Sequence, residues 1–447
     1  MEQLDAATRA GVTGNNHGND MTSIHAKMQS TCIFAFTSAC IATAVGSAHA
    51  QVAPPAPVSL TENTLALDLY KELRNRPGNL LLSPYSIERL VGMVYAGAEG
   101  DTASEIAIVL RGAAQAKADE GNRDANRVDI DHTSGREAEA LVTGQPKGFT
   151  FHVANALWVA EDVKLNRDFS RTIQKDFNGT SQRVDFSNAQ ASADTINRWT
   201  RRNTDGKIPS ILDAGMLSPA PRIVLTDAVY FKARWASPFE KSDTVEHDFH
   251  ITAGTTAPSE MMFQSGYFDF VETGNAKVLA LRYTGNVSMV IILPDRQDGL
   301  ADLEAGLTAE CLNTWLVSAR TRQVEISLPK FQSTTSVDLG DALKTLGMRK
   351  AFIPGQADFA GIAGSADTPL YIGRIVHEAF IDTDEGGTEA AASTAATGMV
   401  GAAPPSVQEP VRFVADHSFL YVIRDDDSGA ILFIGRITNP AQQDGGR

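Results

Sequence analysis

Hydrophobic and polar positions along this chain change their period between its first and second halves. Across positions 60–73 apolar residues recur at helical spacing, at Leu65, Leu67, Leu69, Tyr70 and Leu73, and predict an amphipathic helix. Asn79-Leu80-Leu81-Leu82 then reads as a short buried strand. Ser83 caps a second helix that opens at Pro84 and runs through Leu90, Met93 and Val94 to a stop at the glycines of Gly97-Ala98-Glu99-Gly100. Positions 111–147 are polar and mixed in charge, as expected of a frayed helix and a loop. From Phe151 the pattern is that of strands. Positions 153–160 form one, and 223–231 form a second that is apolar enough to be buried on both faces of a sheet. A helix over 194–200, with Ile196 and Trp199 on one face, lies between them. Several strands follow within 267–294, then a helix after Leu300, a strand over 324–329 and a helix closing at Leu346-Gly347-Met348. Helices dominate early and strands late, there is no internal repeat, and the pattern predicts an α+β fold with large antiparallel or mixed sheets.

One stretch breaks both periods. From Glu385 to Pro405 the chain is built of small residues, and by composition it cannot bury enough apolar surface to order itself. An interdomain linker is the simplest reading, but only about forty residues follow, too few to fold alone without disulfides or metal. Those residues are nonetheless strand-like. Phe419-Leu420-Tyr421-Val422-Ile423 and Ala430-Ile431-Leu432-Phe433-Ile434 flank the turn Asp425-Asp426-Asp427-Ser428-Gly429, a hairpin that must pack into the core made earlier. Positions 385–405 are therefore a long exposed loop inside one domain, and loops beyond roughly 12–15 residues are usually functional.

The first fifty residues read as a secretory signal. Lys27 precedes an apolar run from Cys32 to Val45, and Ala48-His49-Ala50 supplies the small-x-small cleavage pattern before Gln51, with translation starting at Met21 or Met28. The run is shorter than the ~20 residues that span a bilayer. Positions 51–57 are a Pro/Ala tether, 58–440 the folded domain and 441–447 a disordered tail. Removing the signal takes away two basic and three acidic residues, so the net charge moves only from −15 to −14. Nucleic acid and anionic membrane are unfavourable partners for such a surface. Cys32 and Cys40 leave with the signal, and Cys311 remains alone. An exported chain with one cysteine has no internal disulfide and must rely on a large core.

Candidate chemistry is sparse. The chain has no phosphate-binding glycine loop and no G-x-S-x-G elbow. His247 and His250 stand three apart with no third ligand, so a solvated turn is expected rather than a metal site. Asp416-His417-Ser418 holds the residue types of a hydrolase triad, but neighbours in an extended segment point to opposite faces and cannot build that geometry by themselves. Cys311 lacks a basic neighbour to activate it and reads as a buried thiol. No enzyme, metal or cofactor is indicated.

Against this background a set of motifs appears in order. Asn79 to Ile87 resembles the N-x-x-x-S-P-x-S-I block of the serpins, the serine protease inhibitor superfamily, and Gly97-Ala98-Glu99-Gly100-Asp101-Thr102 resembles its G-A-x-G-x-T. Ile196-Asn197-Arg198-Trp199, Thr204-Asp205-Gly206-Lys207-Ile208, Tyr230-Phe231-Lys232 with Trp235, Leu328-Pro329-Lys330-Phe331, Ala357-Asp358-Phe359, Phe413-Val414-Ala415-Asp416-His417 and Phe433-Ile434-Gly435-Arg436 continue the match. The loop is similar to the family's hinge in Glu385, Gly386, Gly387, Thr388, Glu389, Ala390, Ala391, Ala392, Ser393 and Thr394.

The resemblance implies a monomeric single domain with large sheets, eight or nine helices and an exposed reactive-centre loop, which the signal pattern makes an exported protein, expected to be bacterial and to lie in the periplasm or outside the cell. It implies a suicide substrate of serine proteases: the loop is cut, an acyl-enzyme forms, and the loop slides into the large sheet before hydrolysis. Serpin loop insertion is itself a standard example of strand addition. An inserted strand alternates faces, so Thr388, Ala390, Ala392, Thr394 and Ala396 would share the buried side and Glu389 the other. The family's spacing puts the reactive bond between Gly401 and Ala402, with Met399 or Val400 as alternatives, and small or apolar residues there imply elastase-like or subtilisin-like targets. Ser83, Ser86, Asp227, Trp235 and His377 are implied to lie where the sheet opens. Asp227 stands where the family usually has asparagine, and a carboxylate there is expected to favour a protonated His377. Positions 111–147 lack the basic helix that binds polyanions in some members. A non-inhibitory carrier, chaperone or storage role is the alternative, which bulky or charged hinge residues would have signalled.

Overall fold

The computed structural model describes residues 62–111, 149–252, 254–363, 369–388 and 409–442. The signal, the tether, the reactive bond and the hinge beyond Thr388 lie outside the described residues. Nine α-helices occur among the described residues: α1 (Glu62–Leu73), α2 (Pro84–Tyr95), α3 (Gly100–Arg111), α4 (Arg167–Phe177), α5 (Ala189–Asn203), α6 (Leu300–Gly306), α7 (Ala309–Ser318), α8 (Gly340–Leu346) and α9 (Ala360–Ala363). None is long and apolar enough to cross a membrane.

The strands form two sheets. The larger contains β1 (Leu80–Leu82), β5 (Val245–Thr252), β6 (Thr255–Glu272), β7 (Ala276–Arg282), β8 (Val287–Pro294), β9 (Arg320–Pro329), β13 (Val411–Val414), β14 (Phe419–Asp425) and β15 (Ile431–Ile437). The predicted C-terminal hairpin is its β14–β15 pair, with both strands buried along their length. The smaller sheet contains β2 (Thr150–Ala160), β3 (Thr180–Val184), β4 (Ile223–Arg234), β10 (Phe331–Asp338), β11 (Ile372–Asp384) and β12 (Gly387–Thr388), in the order β10-β11-β12-β4-β2-β3. β4 is buried along nearly its whole length, as its uninterrupted apolar run requires.

Side chains divide by parity between the two faces of this sheet. Val229, Phe231, Ala379 and Ile381 join the larger sheet's core, whereas Tyr230 and Phe380 join the helical core with residues of α5. α2 begins as predicted, with Ser83 Oγ accepting from the Ser86 N–H and Pro84 in the first turn. Gly100 opens α3 rather than stopping a helix. Its φ of 55° is a left-handed conformation that turns the chain into the next helix. Ala441 and Gln442, expected to begin a disordered tail, are held by hydrogen bonds to Asn439 and Asn79.

Candidate functional site

The part of the predicted loop that is described is its start, and it occupies a fork in the six-stranded sheet, the smaller of the two, where the large sheet was expected. β4 and β11 pair directly and in parallel from Ile223↔Ile372 to Tyr230↔Phe380. Beyond that rung they separate, and β12 lies between them, antiparallel to both, with Thr388 opposite Thr383 on one side and Ala233 on the other. A tight turn at Glu385-Gly386 makes this possible. Asp384 accepts the Gly386 N–H through Oδ1 at 2.8 Å, and burial pushes its carboxyl above the usual range. Gly387 has φ +141°, and a Cβ there would lie 2.2 Å from the carbonyl oxygen of Ala233, so only glycine fits.

Aromatic and charged groups hold the turn. The Trp235 indole donates to the Asp384 carbonyl at 3.0 Å and stacks on Tyr283, with ring centroids 4.3 Å apart. The Tyr283 hydroxyl is 2.7 Å from Thr388 Oγ1, and burial raises that phenol's pKa. Glu385 is buried between Thr244, which donates to its Oε1 at 2.8 Å, and Lys330, whose Nζ is 3.4 Å away. Burial opposes its ionisation, but its own backbone N–H, the Thr244 hydroxyl and the Lys330 ammonium together hold the carboxyl below its ordinary value. Lys330 also pairs with Glu260 at 3.4 Å. It sits between β9 and β10, so one ammonium ties the turn to both sheets.

Lower in the seam, on the face toward the larger sheet, lies a fully buried polar cluster. Asp227 and His377 are register partners across β4 and β11, with His377 Nδ1 2.9 Å from Asp227 Oδ2. Ser86 donates to the same carboxylate oxygen at 2.7 Å, and the Ser83 N–H donates to His377 Nε2 at 3.2 Å. Ser83 Oγ donates to the Leu432 carbonyl at 2.7 Å and Asn155 to that of Ser86 at 3.0 Å, so the start of α2 is stitched to four strands, β2, β4, β11 and β15. A backbone N–H aimed at Nε2 leaves no proton there, so the ring carries its proton on Nδ1 and is neutral. The protonated His377 expected from sequence is thus not the form this geometry accommodates. Asp227 Oδ1 and Asn155 Oδ1 are buried without a hydrogen-bond partner among the described residues.

The other candidates separate from this site. His247 and His250 lie on β5, a strand instead of the expected turn, and no group of three or more His, Cys, Asp or Glu among the described residues is placed to hold a metal ion. Asp416 and His417 do bond, Nδ1 to Oδ1 at 2.8 Å, although adjacent residues were expected to point apart. The other ring nitrogen donates to the Pro294 carbonyl at 2.8 Å, which leaves nothing to activate Ser418. Cys311 is half-buried, with its thiol pushed up by burial and the charge of Glu310. Sequence reasoning missed Thr244, Tyr283 and Asn155, whose roles arise only from pairings far apart in the chain.

Comparison with known proteins agrees with this architecture. The sequence model of the family Serpin (serine protease inhibitor) matches residues 60–440. An uncharacterized serpin-like protein of Thermococcus kodakarensis is 37% identical over 388 residues, covering 86% of each chain. Human leukocyte elastase inhibitor is 33% identical over 395 residues, covering 86% of this chain and 99% of its own. The crystal structure of Serpin48 from the insect Tenebrio molitor superposes with a TM-score of 0.72 at 32% identity, covering 85% of this chain and 97% of the other. With a forked sheet, a glycine-built hinge and relatives matched across the whole folded region, this chain belongs to the serpin family.

Proposed function

We propose that this protein is an exported, monomeric suicide-substrate inhibitor of serine endopeptidases with elastase-like or subtilisin-like specificity. The observation that carries the reading is the fork: the first strand residues of the hinge already lie between β4 and β11 in a register that can be continued. Continuing it puts Ala391 between Tyr230 and Phe380, and Thr394 between Asp227 and His377. Thr388 is fully buried toward the larger sheet, so Ala390, Ala392, Thr394 and Ala396 would follow it onto that face. None is large or charged, and Glu389 falls on the opposite side.

The protease's serine hydroxyl attacks the carbonyl of the residue before the cut, and the new amine leaves with the C-terminal part of the chain. An acyl ester then links protease to loop. Insertion of about fourteen residues at ~3.3 Å each carries the protease some 45 Å before water can cleave the ester. About twenty new backbone hydrogen bonds at ~0.5–1.5 kcal/mol each drive the movement, against the entropy of ordering the loop. Residues Gly401 and Ala402, or Met399 and Val400 beside them, supply a small or apolar recognition site, and the relative named for leukocyte elastase supports that target class.

The test is to incubate the protein with elastase and subtilisin and run the mixture in hot detergent. A band joining protease to inhibitor is expected, with the released peptide beginning within positions 399–403. Clean cleavage without that band would instead support a non-inhibitory carrier, chaperone or storage role, and hydrolysis of substrates by the protein alone an enzyme. Appearance of the protein outside the inner membrane of a bacterial host, with Gln51 at its N-terminus, checks export.

A further inference from the structure

The motif Thr204-Asp205-Gly206-Lys207-Ile208 has so far no role in the site. It follows α5 and is bent by two successive left-handed residues, Asp205 at φ 49° and Gly206 at φ 79°. Thr204 locks the bend, its hydroxyl donating to the Thr200 carbonyl at 2.9 Å and accepting the Ile208 N–H at 3.2 Å. The bend turns Lys207 down onto the smaller sheet. Its ammonium lies 5.8 Å from the ring centroid of Tyr230 and 5.7 Å from that of Phe380. Those rings are 6.1 Å apart, and they belong to the last rung at which β4 and β11 still pair, directly below β12.

We propose that Lys207 is a latch across the fork, a positioning residue that sets how fast the seam opens. A strand entering below β12 must first part Tyr230 from Phe380. One added strand widens their separation by about 4.8 Å, after which a single ammonium cannot cover both rings. The closed seam therefore gains from a contact that the opening seam loses. His152 lies beside the same loop, its ring edge-on to Tyr230 at 6.1 Å and its Nδ1 3.5 Å from Asp205 with no hydrogen bond between them. The inference rests on the insertion reading above and adds to it a residue that controls rate.

The test uses the uncut full chain and a synthetic peptide with the sequence of residues 388–400, whose uptake into the sheet is followed on native gels. Lys207→Met keeps the aliphatic stem and removes the charge. Uptake is expected to quicken roughly three- to tenfold, the loss of one cation–ring contact. Lys207→Arg, which keeps a cation over the rings, is expected to stay near the wild-type rate. In a Phe380→Leu background the Lys207→Met change is expected to have almost no further effect, whereas general loosening would add its full factor. Equal rates for the wild type and Lys207→Met, or the same acceleration with and without Phe380, overturn the latch. If the wild-type protein neither takes up peptide nor gains thermal stability after loop cleavage, insertion itself fails and the latch falls with it. That outcome is distinct from a latch that fails in a sheet that still opens.

Discussion

Asp227 shows how one atom changes what a buried cluster can do. Its Oδ2 accepts from both Ser86 and His377, while its Oδ1, like that of Asn155, its register neighbour on β2, has no hydrogen-bond partner among the described residues. An amide would keep the acceptor toward Ser86 and His377 and turn the other oxygen into a donor on the rung it shares with Asn155. Asp227→Asn is therefore expected to raise stability by about 1 kcal/mol, read as a higher urea midpoint. A lower midpoint would mean that the carboxylate has a partner this geometry does not contain. Gly387 is constrained from the opposite side, by space. Gly387→Ala adds a Cβ against the Ala233 carbonyl at a positive φ and is expected to cost on the order of 2 kcal/mol or to expel β12 from the fork. A thermal melt, with Trp235 fluorescence reporting on the turn, distinguishes the two.

At the scale of elements, the turn before β12 is tied down by a charge pair with a defined pH range. Glu385 has a lowered carboxyl in the folded protein, so its contribution is complete above its ordinary value of 4.5 and is lost as pH falls through the folded value. Glu385→Gln is accordingly expected to destabilise the protein by about 1 kcal/mol at pH 7 and to match the wild type in strong acid. Melting curves for both proteins from pH 7 down to pH 3 check this, and a gap that persists at the acid end would show that charge is not the cause. Two elements of this region were legible in sequence because they are local and periodic: the Ser83-Pro84 helix start and the apolar run of β4. α4 carries an equally plain stripe in Phe169, Ile173 and Phe177, all buried, and a helical reading of that stripe finds it. The Lys330–Glu385 and Tyr283–Thr388 pairs were not legible, since residues 55 and 105 apart meet only once both sheets exist. Asp227 and His377 could be paired beforehand only through the family resemblance.

For the whole molecule, the two sheets share one hydrophobic interior but differ in completeness. The larger pairs antiparallel among the described residues except at β9–β13 on its edge, whereas the smaller has an interior parallel seam between β4 and β11 that an added antiparallel strand would fill on both sides. Parallel pairing is the slightly weaker arrangement per residue. Under the inhibitory reading, protein cut within positions 399–403 is expected to melt well above the uncut form, as followed by calorimetry, because one parallel ladder is exchanged for two antiparallel ones. A lower or unchanged melting temperature would leave the loop with nowhere to go.

Lys330, which bonds Glu385 and Glu260 at the joint between the sheets, gives that incompleteness a time dimension. A chain that has not reached its lowest free energy persists only because something slows it, and its working life is then a half-life rather than an equilibrium constant. On the inhibitory reading, the turn held at the joint acts like a catch on a single-use spring. On the same reading, a batch stored warm would age, losing active molecules one by one as this joint and the Lys207 contact give way, with no change in its total concentration.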